Sequence, residues 1–257
     1  MIHPTAIVDA KAEIGKDVQI GPYSVVNEDV KIGSGTVIGS HAVIDTHTTI
    51  GENCRISQFA SIGAVPQDLK FRGEITFVEI GDNTVIREFV TVNRGTAGGG
   101  GMTRIGAGSL LMAYVHAAHD CIVGKNAILA NCATLAGHVV LGDHVSVGGM
   151  TAVQQFVRIG DHAYIGGQCG VRNDIPPYVK AAGGEKMMLA GINTIGLGRW
   201  GYSEETISIL KATYRKLFRS KGTVKEGIEV VRAEFSGCPE AMKMIEFIES
   251  SKLGITR

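Results

Sequence analysis

The chain has 257 residues, 44% hydrophobic but only 6% aromatic, with 35 glycines and 25 residues of each charge sign. A formal net charge of zero argues against a general attraction to nucleic acid, and no apolar run reaches the ~20 residues of a membrane span, so stable membrane insertion is not expected. Five cysteines without CxxC spacing read as reduced thiols of a cytoplasmic protein, and Met1-Ile2-His3-Pro4 opens into patterned sequence without the segments of a signal peptide.

From Ile2 onward an aliphatic residue recurs every six positions. The series runs Ile2, Val8, Ile14, Ile20 and so on to Ile62, resumes at Ile80, Ile86 and Val92, and resumes again from Ile105 to Val171. Glycine often follows at the next position, and a small or β-branched residue sits four positions on. Period six fits neither a helix nor an alternating strand. It fits a short strand and a tight turn, with the aliphatic side chain inward and glycine taking the turn. The pattern resembles the hexapeptide-repeat proteins. That resemblance implies a mainly β fold, a left-handed parallel β-helix of triangular section with three hexads, or 18 residues, to a coil. The left hand rests on the resemblance, because parallel crossovers ordinarily take the other hand. In this frame Cys54, Cys121 and Cys169 occupy inward positions and read as packing.

Residues 64–79 break the motif, yet Ile62 and Ile80 remain eighteen residues apart, which reads as one coil replaced by loop. A second excursion, 97–104, contains glycines 98–101 and shifts the frame by seven. Such excursions usually serve function or assembly. Ile175-Pro176-Pro177 is read as the end of strand pairing. The expected division is a β-helix over 1–177, then a linker and a C-terminal α-helical domain over 178–257. There Ser203 is expected to cap a helix from Glu204 to Ser220. Thr223 and Glu226 form a capping box for a second helix, to about Phe235, and Pro239 opens a third that ends near Ser251.

Candidate chemistry concentrates in Met112–Cys121, which holds His116, His119 and Asp120. The 18-residue coil stacks Gly137 over His119 and sets His138 beside it. Histidine, with an ordinary pKa of about 6.5, is the usual general base for a hydroxyl. Asp120 could set its tautomer, although neighbouring strand residues face opposite ways, so contact between the two needs a local irregularity. Metal binding is the competing reading of three clustered histidines. The zinc-type carbonic anhydrases of the hexapeptide superfamily use a pair five apart, whereas His116 and His119 are three apart, so no metal is expected. Gln67, Asp68 and Lys70 supply polar groups suited to a hydrophilic substrate. Lys211, Arg215 and Arg219, at i, i+4 and i+8, form either a solvated basic face or a dock for an acidic partner.

Several runs together resemble one family, the UDP-N-acetylglucosamine O-acyltransferases that begin lipid A biosynthesis. They are Gln58–Gly63, Gln67–Lys70, Asn93-Arg94-Gly95-Thr96, His119-Asp120-Cys121, Leu135–Val139, Gly148–Val153, Pro176-Pro177-Tyr178 and Gly191-Ile192-Asn193. The resemblance implies transfer of an (R)-3-hydroxyacyl group from acyl carrier protein to the glucosamine 3-hydroxyl, with phosphopantetheine carrying the acyl group and no other cofactor. It implies His119 as general base, assisted by Asp120, and the Gly137 N–H as oxyanion donor. His116, His138, Gln67, Asp68, Lys70 and Gln155 would contact substrate, Asn193 and Arg199 would face the nucleotide, and Gly167 would gauge acyl length. The basic row would meet the acidic carrier protein. A homotrimer is implied, with the 64–79 loop reaching a groove shared with a neighbouring subunit. The chain departs from the family pattern at Asn93, Gln154, Ile195 and Trp200, which leaves a 3-amino acceptor, acylated at nitrogen, as the alternative, and a metal-dependent hydratase as the alternative of another class.

Overall fold

The computed structural model describes residues 1–184 and 186–257. Strands of mostly two residues follow one another around three parallel sheets. The first face stacks nine strands from Ile7–Val8 to Gly170–Val171, the second eight from Glu13–Ile14 to Arg158–Ile159, and the third ten, from Gln19–Ile20 up to a terminal hairpin. In regular coils each residue pairs with the one 18 positions on, as Ile128 does with Ser146. The molecule is a left-handed parallel β-helix with a C-terminal helical domain.

The inward aliphatics form one column, with Ile38, Ile44, Ile62, Ile86, Leu111 and Leu135 all at most 1% exposed. Burial of such a side chain contributes roughly 1.5–3 kcal/mol. Cys54, Cys121 and Cys169 lie in this core, as the repeat frame requires.

Glycine does not take the turn in the expected way. The left-handed backbone conformation falls three positions after the inward aliphatic, on Asp17 (φ 59°), Asn53 (φ 54°), Phe59 (φ 62°), Asp120 (φ 61°) and His138 (φ 62°), among others. Asn and Asp tolerate this region best. The glycine directly after the aliphatic serves close approach instead. A Cβ on Gly33 would lie 2.5 Å from the Gly51 carbonyl carbon one coil up, and on Gly106 2.5 Å from that of Gly124.

The two excursions leave the ladder intact. Ile62 pairs with Ile44 and Val92 on the first face and Ile80 sits on the second, so the chain advances one face, not one coil. One step of the repeat is six residues, so the first excursion is a detour of twelve. Its ends are extended, in Ser61–Ala64 and Phe77–Ile80. The second runs from Thr91–Asn93 through a single 3₁₀ turn, Ala97–Gly99, to Met102–Ile105.

The prolines at 176 and 177 do not end the pairing. Val179–Ala182 joins the third face in parallel with Tyr164 and Ile165, then pairs antiparallel with Met188–Ile192. The expected linker therefore contains a hairpin. Helix α1, Thr194–Arg199, follows it. Ser203 caps α2, Glu204–Phe218; Thr223 and Glu226 form both halves of a capping box on α3, Val224–Phe235; and α4 is Pro239–Glu249. Leu210, Leu217, Val231, Met244 and Ile245 form the helical core. The C-terminal tail returns to the β-helix, where Ile255 bridges Asp174.

Candidate active site

His119 sits on the turn between the first and second faces, after the strand His116–Ala117. It is 8% exposed and Asp120 4%. The irregularity that lets the two neighbours meet is the left-handed backbone of Asp120. It swings the carboxylate back so that Oδ2 lies 2.8 Å from His119 Nδ1. A carboxylate only accepts, so Nδ1 is the donor in this contact, and in a neutral ring that leaves the lone pair on Nε2. Nε2 has no hydrogen-bond partner among the described residues.

Asp120 is itself held on several sides. The Thr96 N–H donates to Oδ1 at 2.8 Å and the Thr96 hydroxyl to Oδ2 at 2.6 Å. The Asp120 N–H donates to Thr103 Oγ1 at 2.8 Å. Both threonines flank the glycine excursion, 24 and 17 residues away in sequence. Sequence reasoning missed them because neither occupies a repeat position that the coil register relates to Asp120.

One coil above, Gly137 covers the His119 ring. A Cβ there would lie 2.6 Å from Cε1 and 2.7 Å from Nε2. His138 stands edge-on to His119, with ring centroids 5.0 Å apart, and stacks at 4.6 Å on Phe156, a contact not anticipated from sequence. His116 Nδ1 lies 2.7 Å from Thr91 Oγ1 on the coil below. Burial, and then the neighbouring His119, hold His116 below its ordinary pKa. Burial is also the main cause lowering His138, against the opposing pull of Asp120.

Ligand atoms of His119, Asp120 and His138 lie within 4.8 Å of one another, a geometry that could hold a metal ion. Here Asp120 Oδ2 instead accepts from the Thr96 hydroxyl and lies against His119 Nδ1, contacts that an ion would have to displace.

A groove of about 470 Å³ opens beside His138, lined by Asp68, Lys70, Phe71, Thr96 and Phe156 among others. The 64–79 loop thus reaches His138 of its own chain. Gln67 is exposed and outside this lining, and Gln155 is exposed on the coil above Gly137. Asn193 and Arg199 lie elsewhere. They line a cavity of about 520 Å³ with His144, His162, Ile195 and Trp200, at the next corner of the prism. Asn193 caps α1 and donates from Nδ2 to the His162 carbonyl at 2.9 Å. Trp200 packs 3.9 Å from the His144 ring centroid, and Ile195 is 71% exposed. Gly167 lies on the third corner, its Cβ position 3.1 Å from Gly149 O. One chain therefore gathers His116, His119, Asp120, Gly137, His138, Asp68 and Lys70, and leaves Asn193, Arg199 and Gly167 at other corners.

The basic row is divided. Lys211 and Arg215 are exposed on α2. Arg219 is engaged, donating to Leu189 O at 2.6 Å with its guanidinium 5.5 Å from the Tyr214 ring centre. It braces the hairpin that precedes α1.

Comparison with known proteins places this architecture. A family model described as UDP N-acetylglucosamine O-acyltransferase, domain 2, matches residues 174–256, and one described as bacterial transferase hexapeptide (six repeats) matches 11–46 and 102–137. Proteins named acyl-(acyl-carrier-protein)–UDP-N-acetylglucosamine O-acyltransferase are similar over the full length. The one from Janthinobacterium sp. is 51% identical and that from Thermodesulfovibrio yellowstonii 50%, each alignment covering 100% of this chain and 99% of the relative. Among solved structures, the UDP-N-acetylglucosamine acyltransferase of Campylobacter jejuni superposes with a TM-score of 0.94 at 41% identity, covering 100% of this chain and 99% of the other. That of Bacteroides fragilis gives 0.96 at 40%, covering 100% of both. With half its residues identical to such relatives from end to end, and with the coil stack that carries His119 beneath Gly137, this chain belongs to the UDP-N-acetylglucosamine O-acyltransferase family.

Proposed function

We propose that this protein transfers an (R)-3-hydroxyacyl group from acyl carrier protein to the glucosamine 3-hydroxyl of UDP-N-acetylglucosamine, the first step of lipid A biosynthesis. The names of its relatives give the donor and the acceptor. The observation that carries the mechanism is the His119–Asp120 contact, which occupies Nδ1 and leaves Nε2 without a partner among the described residues.

In this reading Nε2 takes the proton of the 3-hydroxyl as its oxygen attacks the thioester carbonyl. Charge collects on the carbonyl oxygen. The Gly137 N–H donates to no group among the described residues, which supports its role as the donor to that oxyanion. Collapse breaks the carbon–sulfur bond. The phosphopantetheine sulfur leaves with the proton from the imidazolium, and the ester remains on the sugar. Asp120 keeps the ring oriented and stabilises the imidazolium. His116 and His138, both biased toward the neutral form, offer hydrogen bonds to substrate without a competing charge. Asp68 and Lys70 would hold the polar part of the substrate in the groove, with Gln67 and Gln155 at its margin.

Self-association would complete the site, and a homotrimer is our proposal. The outward residues of the first face include Val25, Val43, Thr91, Thr134 and Ala152, and none of them is Asp, Glu, Lys or Arg. The second face presents Glu13, Lys31, Glu79, Arg104 and Arg158. His116 belongs to the uncharged face. An exposed ladder, Tyr23, His41, Phe59, Phe89 and Tyr114, runs along one edge of it with ring spacings of 4.9–5.2 Å. Packing of copies there would bring Asn193 and Arg199 of one subunit toward His119 of another, for the nucleotide. It would also enclose the acyl chain near Gly167. Lys211 and Arg215 remain free to meet an acidic carrier protein. No helix is long and apolar enough to cross a membrane among the described residues, and the cytoplasm is the compartment we propose.

The test is turnover of acyl carrier proteins of graded chain length against the sugar nucleotide with a 3-hydroxyl and with a 3-amino group. Ester formation is expected, lost in His119→Ala with the oligomer intact. Most of the activity surviving in that variant would refute the mechanism, and a preference for the amine would make the product an amide.

A further inference from the structure

The glycine excursion has no role in the mechanism so far, yet it touches the catalytic pair at its most buried point. Asp120 is a carboxyl group with almost no solvent, and a buried polar group of this kind needs fixed hydrogen-bond partners. Two of the three that reach its carboxylate come from Thr96, one to each oxygen; the third is His119 itself.

The excursion is shaped around this contact. A side chain at Gly99 would fall directly on the Asp120 carboxylate, and a Cβ at Gly95 would lie 2.9 Å from Oδ1. The Gly99 and Gly101 N–H groups both close back on Thr96 O, at 3.0 and 2.8 Å, which fixes the loop about that residue. Thr103, on the far side of the glycine run, accepts from the Asp120 N–H and so helps hold its left-handed turn. The glycines let two threonines seven residues apart close on one aspartate.

We infer that Thr96 is the positioning residue of a Thr96–Asp120–His119 relay, fixing the carboxylate so that His119 keeps its proton on Nδ1 and its lone pair on Nε2. The inference rests on His119 being the base. Thr96 does two things at once. Its two donors set the rotation of the carboxylate, and so the direction in which Oδ2 faces His119. Its hydroxyl also shares the negative charge of Oδ2, which moderates the pull of Asp120 on the imidazolium. Other charged or titratable groups facing this pair are His116, His138, Asp68 beyond His138, the Cys121 thiol next in sequence, and Glu74, whose carboxylate accepts from the Ala97 N–H.

Three variants of the full-length protein test it. Thr96→Val keeps the shape and removes the hydroxyl. It is expected to lower kcat about tenfold to a hundredfold with KM little changed, as removal of a donor from a buried charge does. The acid limb of its kcat/KM profile is expected to move to higher pH, because a carboxylate with one donor fewer holds the imidazolium more strongly. Thr96→Ser, which retains the donor, should recover most of the loss. Gly99→Ala, which pushes Asp120 aside, should repeat the loss without altering Thr96. Nitrogen-15 spectra of the histidine rings read the tautomer without turnover. Wild-type His119 should be protonated at Nδ1, and Thr96→Val should show a mixture of tautomers. Wild-type kcat, pH profile and ring spectrum in folded Thr96→Val would overturn the relay. Absence of acyl transfer by the wild-type protein would overturn the proposed activity instead, while the ring spectra would still decide what Thr96 does.

Discussion

Gly137 and His119 touch across one coil so closely that the α-hydrogen of glycine is the only substituent the imidazole permits. The Cβ position lies 2.7 Å from His119 Nε2, the nitrogen we propose as the base. Gly137→Ala should therefore tilt the ring or lift the upper coil. We expect kcat to fall by 10²-fold or more, in line with loss of base alignment or of an oxyanion donor. The thermal midpoint should fall by only a few degrees. Steady-state kinetics beside a melting curve would separate the two effects, and near-normal kcat would show that the contact has slack.

Gly167 gives a second test. Its Cβ position meets Gly149 O at 3.1 Å, a tight but not forbidden contact, so a side chain fits there by projecting outward. Gly167→Met should shift preference toward shorter acyl groups by several carbons while leaving kcat on the shorter donor within about tenfold. An unchanged profile across the acyl carrier protein panel would refute a measuring role.

Acid should loosen the second-to-third corner. His162 is 7% exposed and stacks on His144 with centroids 4.5 Å apart. Burial, and then His144, push its pKa down from 6.5 to about 4. The unfolded chain then binds the extra proton between those values and the folded one does not, so stability rises with pH across this window and falls on acidification. Denaturant midpoints at pH 7 and pH 4.5 should differ less in His162→Gln than in the wild type. An equal difference would show that other groups dominate.

Close approach of coils predicts which glycines matter for stability. Gly33→Ala puts a methyl 2.5 Å from backbone of the next coil and should cost about 1–3 kcal/mol. Gly237→Ala, with nothing within 4 Å, should change stability by less than about 0.5 kcal/mol. Urea titrations of both variants give the comparison directly.

The coil spacing was legible in the sequence because inward aliphatics six apart leave one solution for the core, and Gly137 over His119 follows from it. The use of glycine was not. Its recurrence looks like a conformational need, whereas the left-handed turns fall on Asn53, Phe59 and Asp120, and the glycines yield space to neighbouring backbone. The same shift hid the His119–Asp120 contact, since strand alternation forbids it and the turn conformation at Asp120 restores it. Thr96 was invisible for another reason. Its partner is 24 residues away through an irregular segment, and no periodicity connects them. The hairpin at Val179–Ile192 follows two prolines, which argue against pairing, yet Ile175 and Val179 still reach the sheets on either side of them.

The twelve-residue detour before Phe77 has a consequence for how such a protein can diverge. The chain leaves the ladder after Ala64 and returns so that Val78 still meets Thr48 and Ile80 still meets Ile50. The strand pairing is indifferent to what has been spliced in between, although the segment touches Asn93, Arg94 and Ala97. Doubling the length of such a segment costs only about 0.6 kcal/mol of closure entropy. The part of the molecule that carries Asp68 and Lys70 can thus be rewritten, lengthened or exchanged between relatives while the prism beneath it keeps its register. Selectivity can drift at that splice without the corner that carries His119 having to be rebuilt.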